Sequence, residues 1–379
     1  MNPSIVNGRG DAASITMGPL SQCLEVLAQY PDDFRPAEVE PLGSAGGFSG
    51  SAIFRVRAGD RVFCLKRWPS EFRSAETLQW IHAVLSHVVR QGLDWVPAPC
   101  RDRSGRTFAC FGDHFWELAP WMPGKADFHF DPRPERLRGA MTVLAEFHQA
   151  AVTLPDDASR RVRAEHALYA GSGPAPGVPE RLDRVRGYLA GDLDQLARCI
   201  VPRLWPGLCD RAWLAVTLAR VCLEPVRDLL EATRTAEVPL QPCIRDVWHD
   251  HVLFTGDRVT GLVDFDAMGF GSVAGDVARL LGSLAGDNAS LWSTGLAAYH
   301  SLRPLSDAEQ TLLPALDRSG VILAALNWVE WLYRERRNFP DAAAVANRLD
   351  ELLPRLKTLS ESPTGRSAAP ATLWLPPPE

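Results

Sequence analysis

The chain has 379 residues, enough for two domains or one large two-lobed unit, and 46% of them are hydrophobic, so a sizeable core can be buried. Forty Lys plus Arg against 46 Asp plus Glu leave a net charge of -6, which argues against a general nucleic-acid binder. Eight cysteines are scattered with no CxxC pair and no zinc spacing, and no run of 18 apolar residues marks a membrane span. The thiols therefore read as small core residues in a reducing cytoplasm. The opening MNPSIVNGRGDAASITM has no apolar run of signal-peptide length. Only three of the 40 basic residues are lysines, Lys66, Lys125 and Lys357, so each lysine carries more information than usual.

In chain order, residues 1–17 read as a loose tail, followed by a short amphipathic helix around Leu20–Tyr30. Val39–Leu42 leads into the glycine cluster GSAGGFSG, Gly43 to Gly50. Two strand-like runs, Ala52–Arg57 and Arg61–Trp68, joined by Ala58-Gly59-Asp60, form a hairpin. Leu78, Ile81, Val84, Leu85, Val88 and Val89 recur at helical spacing within Ser70–Gln91. A second hairpin, Arg106–Cys110 with Phe115–Leu118, turns at Gly112-Asp113, and the Pro120–Gly124 stretch marks a lobe boundary. Beyond it helices dominate: Glu135–Ala151, Glu180–Ile200, Ala212–Thr233, Val273–Leu284, Ala289–Tyr299, Asp307–Arg336 with a break, and Ala342–Leu356. One strand-like island, Val252–Asp266, interrupts them, and 153–178 reads as a long loop. The expected organisation is thus a flexible tail over 1–17, a β-rich lobe over 18–122, a mainly helical lobe over 123–360 and a disordered tail over 361–379.

Three features bear on chemistry. Glycines let backbone N–H groups approach a phosphate, although a flexible turn has the same composition. Lys66 follows Phe63, Cys64 and Leu65, so it is an ammonium on an otherwise apolar strand. It needs a partner, for which Glu76 or Glu71 on the next helix is available and Glu76 is preferred, or a route by which its stem reaches water. In the second lobe Asp246 opens a loop, His251 opens an apolar strand five residues later, and Asp264 closes the strand after the turn. That layout suits phosphoryl transfer: one carboxylate accepts a hydrogen bond from the acceptor hydroxyl, and a second, with a loop ligand, holds a divalent metal.

The segment IRDVWHDHVLFTGDRVTGLVDFDAMGFGSVAGDVARLLG resembles the core of the aminoglycoside phosphotransferase and choline kinase family, which is distantly similar to protein kinases. The likeness extends outward to GSAGGFSGSAIFRV, FCLKRW, FWELAPWMPG and LAEFHQA, in the family's order, over about residues 36 to 300. It implies an α+β, bilobal protein-kinase-like fold with a small β-rich N-lobe and a larger helical C-lobe. It also implies transfer of the γ-phosphate of ATP, with Mg2+ or Mn2+, to a small-molecule hydroxyl of an amino alcohol, a sugar, a homoserine-like compound or an aminoglycoside. Position by position, Asp246 would be the catalytic base with Arg245 beside it, Asp264 the principal metal ligand, and Lys66 the holder of the α- and β-phosphates. Gly46, Gly47 and Ser49 would belong to the glycine loop, and Glu76 would pair with the lysine. The backbone near Glu117 and Ala119 would meet adenine, and Asp276 would order the catalytic loop.

Two departures stand out. The usual His two residues before the catalytic Asp is Ile244, and the metal-binding Asn is His251. Magnesium favours oxygen ligands, so His251 either contacts the metal or a phosphate, or is a structural histidine bonded to Asp250. Arg245 either favours the ionised form of Asp246 or points away to another loop. Trp328, Glu330, Trp331, Tyr333 and Glu335 form an aromatic and acidic stretch that fits either a wall for a cation or core packing, and Asp266 and Asp127 are further acids. The alternative to a kinase is a catalytically impaired binder of nucleotide or ligand. Neither nucleic acid nor membrane is an expected partner, and oligomeric state is not legible.

Overall fold

The computed structural model describes residues 18–43, 50–72, 74–155, 171–339 and 341–361. Gly46, Gly47 and Ser49 lie outside these residues, as do the two tails except for Glu361. The chain divides into two compact units, Met1–Phe72 with Cys100–Pro120, and Arg73–Pro99 with Trp121–Glu379. This differs from a first lobe spanning 18–122 in residues 121–122 and, more widely, in the segment 73–99, which group with the second unit. Its helix buries Leu78, Ile81, Val84 and Val88, and Trp80 packs 5.3 Å from Phe270. Trp95 then accepts a hydrogen bond from Leu262 N.

The first unit is a five-stranded antiparallel sheet in the order β1-β2-β3-β5-β4. The strands are β1 (Glu38–Gly43), β2 (Ala52–Ala58), β3 (Arg61–Arg67), β4 (Ala109–Phe111) and β5 (His114–Pro120). Both Gly-Asp signals turn hairpins, at Gly59 and Gly112, where φ is near +60°. Helix α1 (Pro19–Leu27) lays Cys23, Val26 and Leu27 onto Phe54, Val56, Phe63 and Leu65. Alternation along β3 sends Phe63 and Leu65 into that core and turns Lys66 to the other face.

The second unit is mainly helical: α2 (Ala75–Arg90), α3 (Pro134–Ala151), α4 (Gly177–Gly187), α5 (Leu193–Cys199), α6 (Cys209–Thr233), α7 (Val273–Ala285), α8 (Ala289–Leu302), α9 (Asp307–Val329) and α10 (Ala342–Glu361). The helix expected over 180–200 is two helices joined by a π turn at Tyr188–Asp192, where Gly191 takes φ 128°. The break expected in 307–336 is a π turn at Glu330–Arg334. Asp307–Arg334 is long and apolar enough to cross a membrane, but 67% of that window is buried inside the protein, against α6, α7 and α10.

Three short strands escaped the sequence pattern: β6 (Gly171–Pro174), β7 (Glu237–Cys243) and β10 (Gly269–Gly271), in the order β10-β7-β6. They are short or carry proline and glycine, which hides them from any periodicity. The expected loop 153–178 therefore holds a strand at its end. The strand-like island is a hairpin, β8 (Val252–Thr255) and β9 (Arg258–Leu262), with Val252 opposite Leu262. The hairpin is held against the preceding segment by paired backbone bonds, Lys125 N to Phe254 O (3.0 Å) and Phe254 N to Lys125 O (2.9 Å). Gly124 permits this approach: φ is 104°, and a Cβ there would lie 2.8 Å from Phe254 O.

Candidate active site

The site in the second unit is built from the end of β7. Ile244 is buried, and its N–H donates to Asp276 Oδ2 at 2.7 Å, while Arg245 N donates to Oδ1 at 2.7 Å. Asp276 stands in the first turn of α7, which Ser272 caps through its side chain. A third bond reaches the same carboxylate from His148 Nε2 at 3.0 Å, and His148 Nδ1 lies 2.7 Å from the Tyr299 hydroxyl. Burial pushes the His148 pKa down and the Tyr299 pKa well up. A neutral imidazole that donates to Asp276 at one nitrogen can only accept at the other, so the tyrosine hydroxyl donates to Nδ1. Backbone, helix and ring thus converge on one buried acid.

This anchoring fixes Arg245 in the left-handed region, φ 70°, which a long non-glycine side chain rarely adopts. The turn delivers Asp246 to the surface, its side chain 55% exposed. The guanidinium beside Asp246 is that of Arg279, one turn after Asp276 on α7, with Nη2 3.1 Å and Nε 3.3 Å from Oδ1. The sequence left Arg245 two readings, beside Asp246 or turned away from it. It turns away, its Nη2 3.4 Å from Glu180 Oε2, because its backbone is committed to Asp276.

A short 3-10 turn, His249–His251, follows, held by His249 N to Ser283 Oγ at 2.9 Å. After the hairpin, Val263 N donates to His251 O at 2.9 Å, and Asp264 adopts a left-handed backbone, φ 64°. His251 and Asp264 come together, with Nε2 3.5 Å from Oδ2. The pairing with Asp250 that a structural histidine would make is absent among the described contacts; Asp250 lies by His249 Nε2 at 3.4 Å. His251 Nε2 instead accepts the Trp248 indole N–H at 2.8 Å, and burial lowers the pKa of the ring. Trp248 is in turn covered by the Arg348 guanidinium, 3.7 Å from the ring centroid.

In the first unit Lys66 is buried, with Nζ 4.4 Å from the Trp68 ring centroid. It stands directly opposite Glu117 in the β3–β5 register, and Cys64 stands opposite Ala119. Trp68 Nε1 donates to Glu117 Oε2 at 3.1 Å, so one indole engages both the lysine and the glutamate. Glu76 lies in the first turn of α2 in the second unit and is exposed.

The aromatic stretch after α9 is core packing. Trp328 meets Trp331 edge-on at 5.1 Å, and the buried Tyr333 donates its hydroxyl to Trp205 O at 3.0 Å. Its acids are already matched: Glu330 by Arg334 (3.1 Å) and Glu335 by Arg337 (2.6 Å). Asp127 pairs with the buried Arg136. The sequence pointed to neither Arg279 nor Trp248, and it carried His148 only as part of a helix motif.

A loop aspartate anchored through a helix acid, a strand pair and a second aspartate on a left-handed backbone, with a separate β-sheet unit bearing a buried lysine, define a protein-kinase-like fold. A solved spectinomycin phosphotransferase, in complex with ADP and spectinomycin, shares that fold with TM-score 0.63 at 11% identity, covering 90% of this chain and 98% of its own. Residues 41–309 match the model of the phosphotransferase enzyme family APH, and the chain belongs to that family. It is a small-molecule phosphotransferase, a kinase with a hydroxyl acceptor. Among curated relatives it is 28% identical to the homoserine kinase of Gluconobacter oxydans over 82% of this chain and 86% of that protein. It is 30% identical to the homoserine kinase of Brucella anthropi over 57% of this chain and 67% of that protein.

Proposed function

We propose that the protein transfers the γ-phosphate of ATP to the hydroxyl of a small, homoserine-like amino acid in a reducing cytoplasm. The observation that carries this reading is the double backbone anchor on Asp276, which holds the turn so that the Asp246 carboxylate stands exposed beside Arg279. In this role Asp246 accepts a hydrogen bond from the acceptor hydroxyl and takes its proton, while Arg279 fixes the carboxylate's direction. The homoserine kinase relatives support the size and class of the acceptor.

The first unit is the nucleotide-binding part in this proposal. Lys66 holds the α- and β-phosphates, the backbone near Glu117 and Ala119 receives adenine, and Gly46, Gly47 and Ser49 belong to the phosphate loop. In the second unit the donors fit a divalent ion. Asp264 is an exposed carboxylate, the hard ligand that Mg2+ favours, with His251 Nε2 3.5 Å away. Mg2+ is the proposed ion, with Mn2+ acceptable to the nitrogen, and when bound it neutralises phosphate charge.

Turnover of ATP with Mg2+ is measured against a panel of hydroxyl compounds that includes L-homoserine. Activity with a small hydroxy amino acid, reduced about 100-fold or more in Asp246→Asn, is expected. A wild-type protein that turns over no panel member, or an unimpaired variant, ends the proposal.

One observation favours a second reading. The Trp248 N–H occupies the His251 nitrogen that a metal would use, as suits a protein that binds nucleotide without transferring phosphate. ATP-dependent thermal stabilisation without any turnover in wild type would select it.

A further inference from the structure

Beside the catalytic loop, within the second unit, lies a cavity of about 370 Å³, a volume in the range of small-molecule sites. Four guanidinium groups line it: Arg181, Arg279, Arg348 and Arg355. Most are already matched. Arg355 Nη2 holds Asp317 at 2.8 Å, Arg348 pairs with Glu351, and Arg279 pairs with Asp246. The remaining acid of the wall, Asp350, is taken by Arg211, which grips both its oxygens at 2.7 Å.

Arg181 is different. It projects from α4, and its Nη1 donates to Leu316 O at 2.6 Å and Ser319 Oγ at 3.0 Å. Among the described residues no carboxylate lies within ion-pair distance of it, and its Nε and Nη2 donate to nothing. The residue is half-buried; desolvation, then the positive charge of Arg279, lower its pKa to about 10 against the opposing pull of Asp317 and Glu180. A guanidinium that lines a cavity with donors left open is suited to receive an anion.

We propose that this cavity binds the carboxylate of the phosphate acceptor, with Arg181 as its counter-charge. Arg279, which lines the cavity and touches Asp246, joins the carboxylate site to the catalytic aspartate. A planar carboxylate matches the fork of a guanidinium. The acceptor is therefore a hydroxy acid or hydroxy amino acid, and a polycationic sugar is repelled. This rests on the phosphotransferase reading above, and the probes are chosen so that the two fail separately.

Binding of two compounds that cannot be phosphorylated is compared on the full chain by titration calorimetry: L-2-aminobutyrate, and propylamine, the same skeleton without its carboxylate. The amino acid binds and the amine does not. Arg181→Gln weakens the amino acid about tenfold to a hundredfold, the loss expected for a charge-assisted bond, and Arg181→Lys falls between. Equal binding of the two probes to wild type, binding of neither, or full-strength binding to a folded Arg181→Gln overturns the proposal. The wild-type comparison needs no variant, so a variant that fails to fold does not decide it. In turnover, KM for L-homoserine rises in Arg181→Gln, and Arg181→Lys recovers part of the loss. If ATP turnover fails for every acceptor but the amino acid still binds through Arg181, the phosphotransfer reading is lost and the anion site stands.

Discussion

Arg279 Nη2 lies 3.1 Å from Asp246 Oδ1, and no other guanidinium is paired with that carboxylate among the described residues. In the proposed function Arg279 is a positioning residue for Asp246, the proton acceptor. Arg279→Met should lower kcat about tenfold to a hundredfold, since a small misplacement of a reacting group has that effect, with KM for ATP unchanged. Steady-state kinetics check it. A rise in KM for ATP with kcat intact would assign Arg279 to the nucleotide instead.

Asp276 accepts two backbone N–H groups and a buried imidazole. Asp276→Asn removes the charge and turns one acceptor into a donor facing other donors. A loss of about 2–4 kcal/mol is expected, in line with breaking a buried charged network. Denaturant unfolding measures it, and a loss below about 1 kcal/mol would mean the loop is anchored elsewhere.

Arg245 sits at φ 70°. Arg245→Gly relieves that backbone and gives up only a half-exposed contact with Glu180, so stability should hold within about 1 kcal/mol. Arg245→Val places a branched side chain at the same angle and should cost at least about 1 kcal/mol more. Thermal melts of the pair give the comparison, and equal melting temperatures would exclude strain.

His249 has an ordinary pKa of 6.5 and is held near 2 in the folded protein. The unfolded chain therefore takes a proton that the folded one refuses, and the stability tied to a neutral His249 is present above pH 6.5 and lost as pH falls. The loss for one such group is at most about 1.4 kcal/mol per pH unit. His249→Gln should flatten the fall in unfolding free energy between pH 6.5 and 5. His148 and His251 are also depressed by burial, so a slope remains.

Trp248→Phe keeps an aromatic ring under Arg348 and removes the N–H that caps His251 Nε2. Mn2+ affinity, read by electron paramagnetic resonance, should rise, with nitrogen coupling appearing in the spectrum. Unchanged affinity would leave Asp264 as the ligand and His251 as packing.

The Asp246 loop and the hairpin were legible because their residues are contiguous: Asp246, His251 and Asp264 fall within one stretch of strand, turn and strand. The residues that support them are not. Arg279 meets Asp246 across 33 positions, His148 meets Asp276 across 128, and Arg181 reaches Leu316 across 135. No local pattern encodes such contacts. Lys66 was legible as an unusual charge, but the residue facing it, Glu117, follows from strand register and not from helical neighbours. The aromatic stretch at 328–335 was open in composition to a binding wall or a core, and packing made it core.

Near-exclusive use of arginine has an experimental consequence. An amine-directed reagent meets only Lys66, Lys125, Lys357 and the chain terminus. Lys125 and Lys357 are exposed, whereas Lys66 is buried at the face of Trp68. Two lysines should be acylated quickly and the third slowly, so mass spectrometry of the labelled protein becomes a near single-residue clock for the first unit's interior.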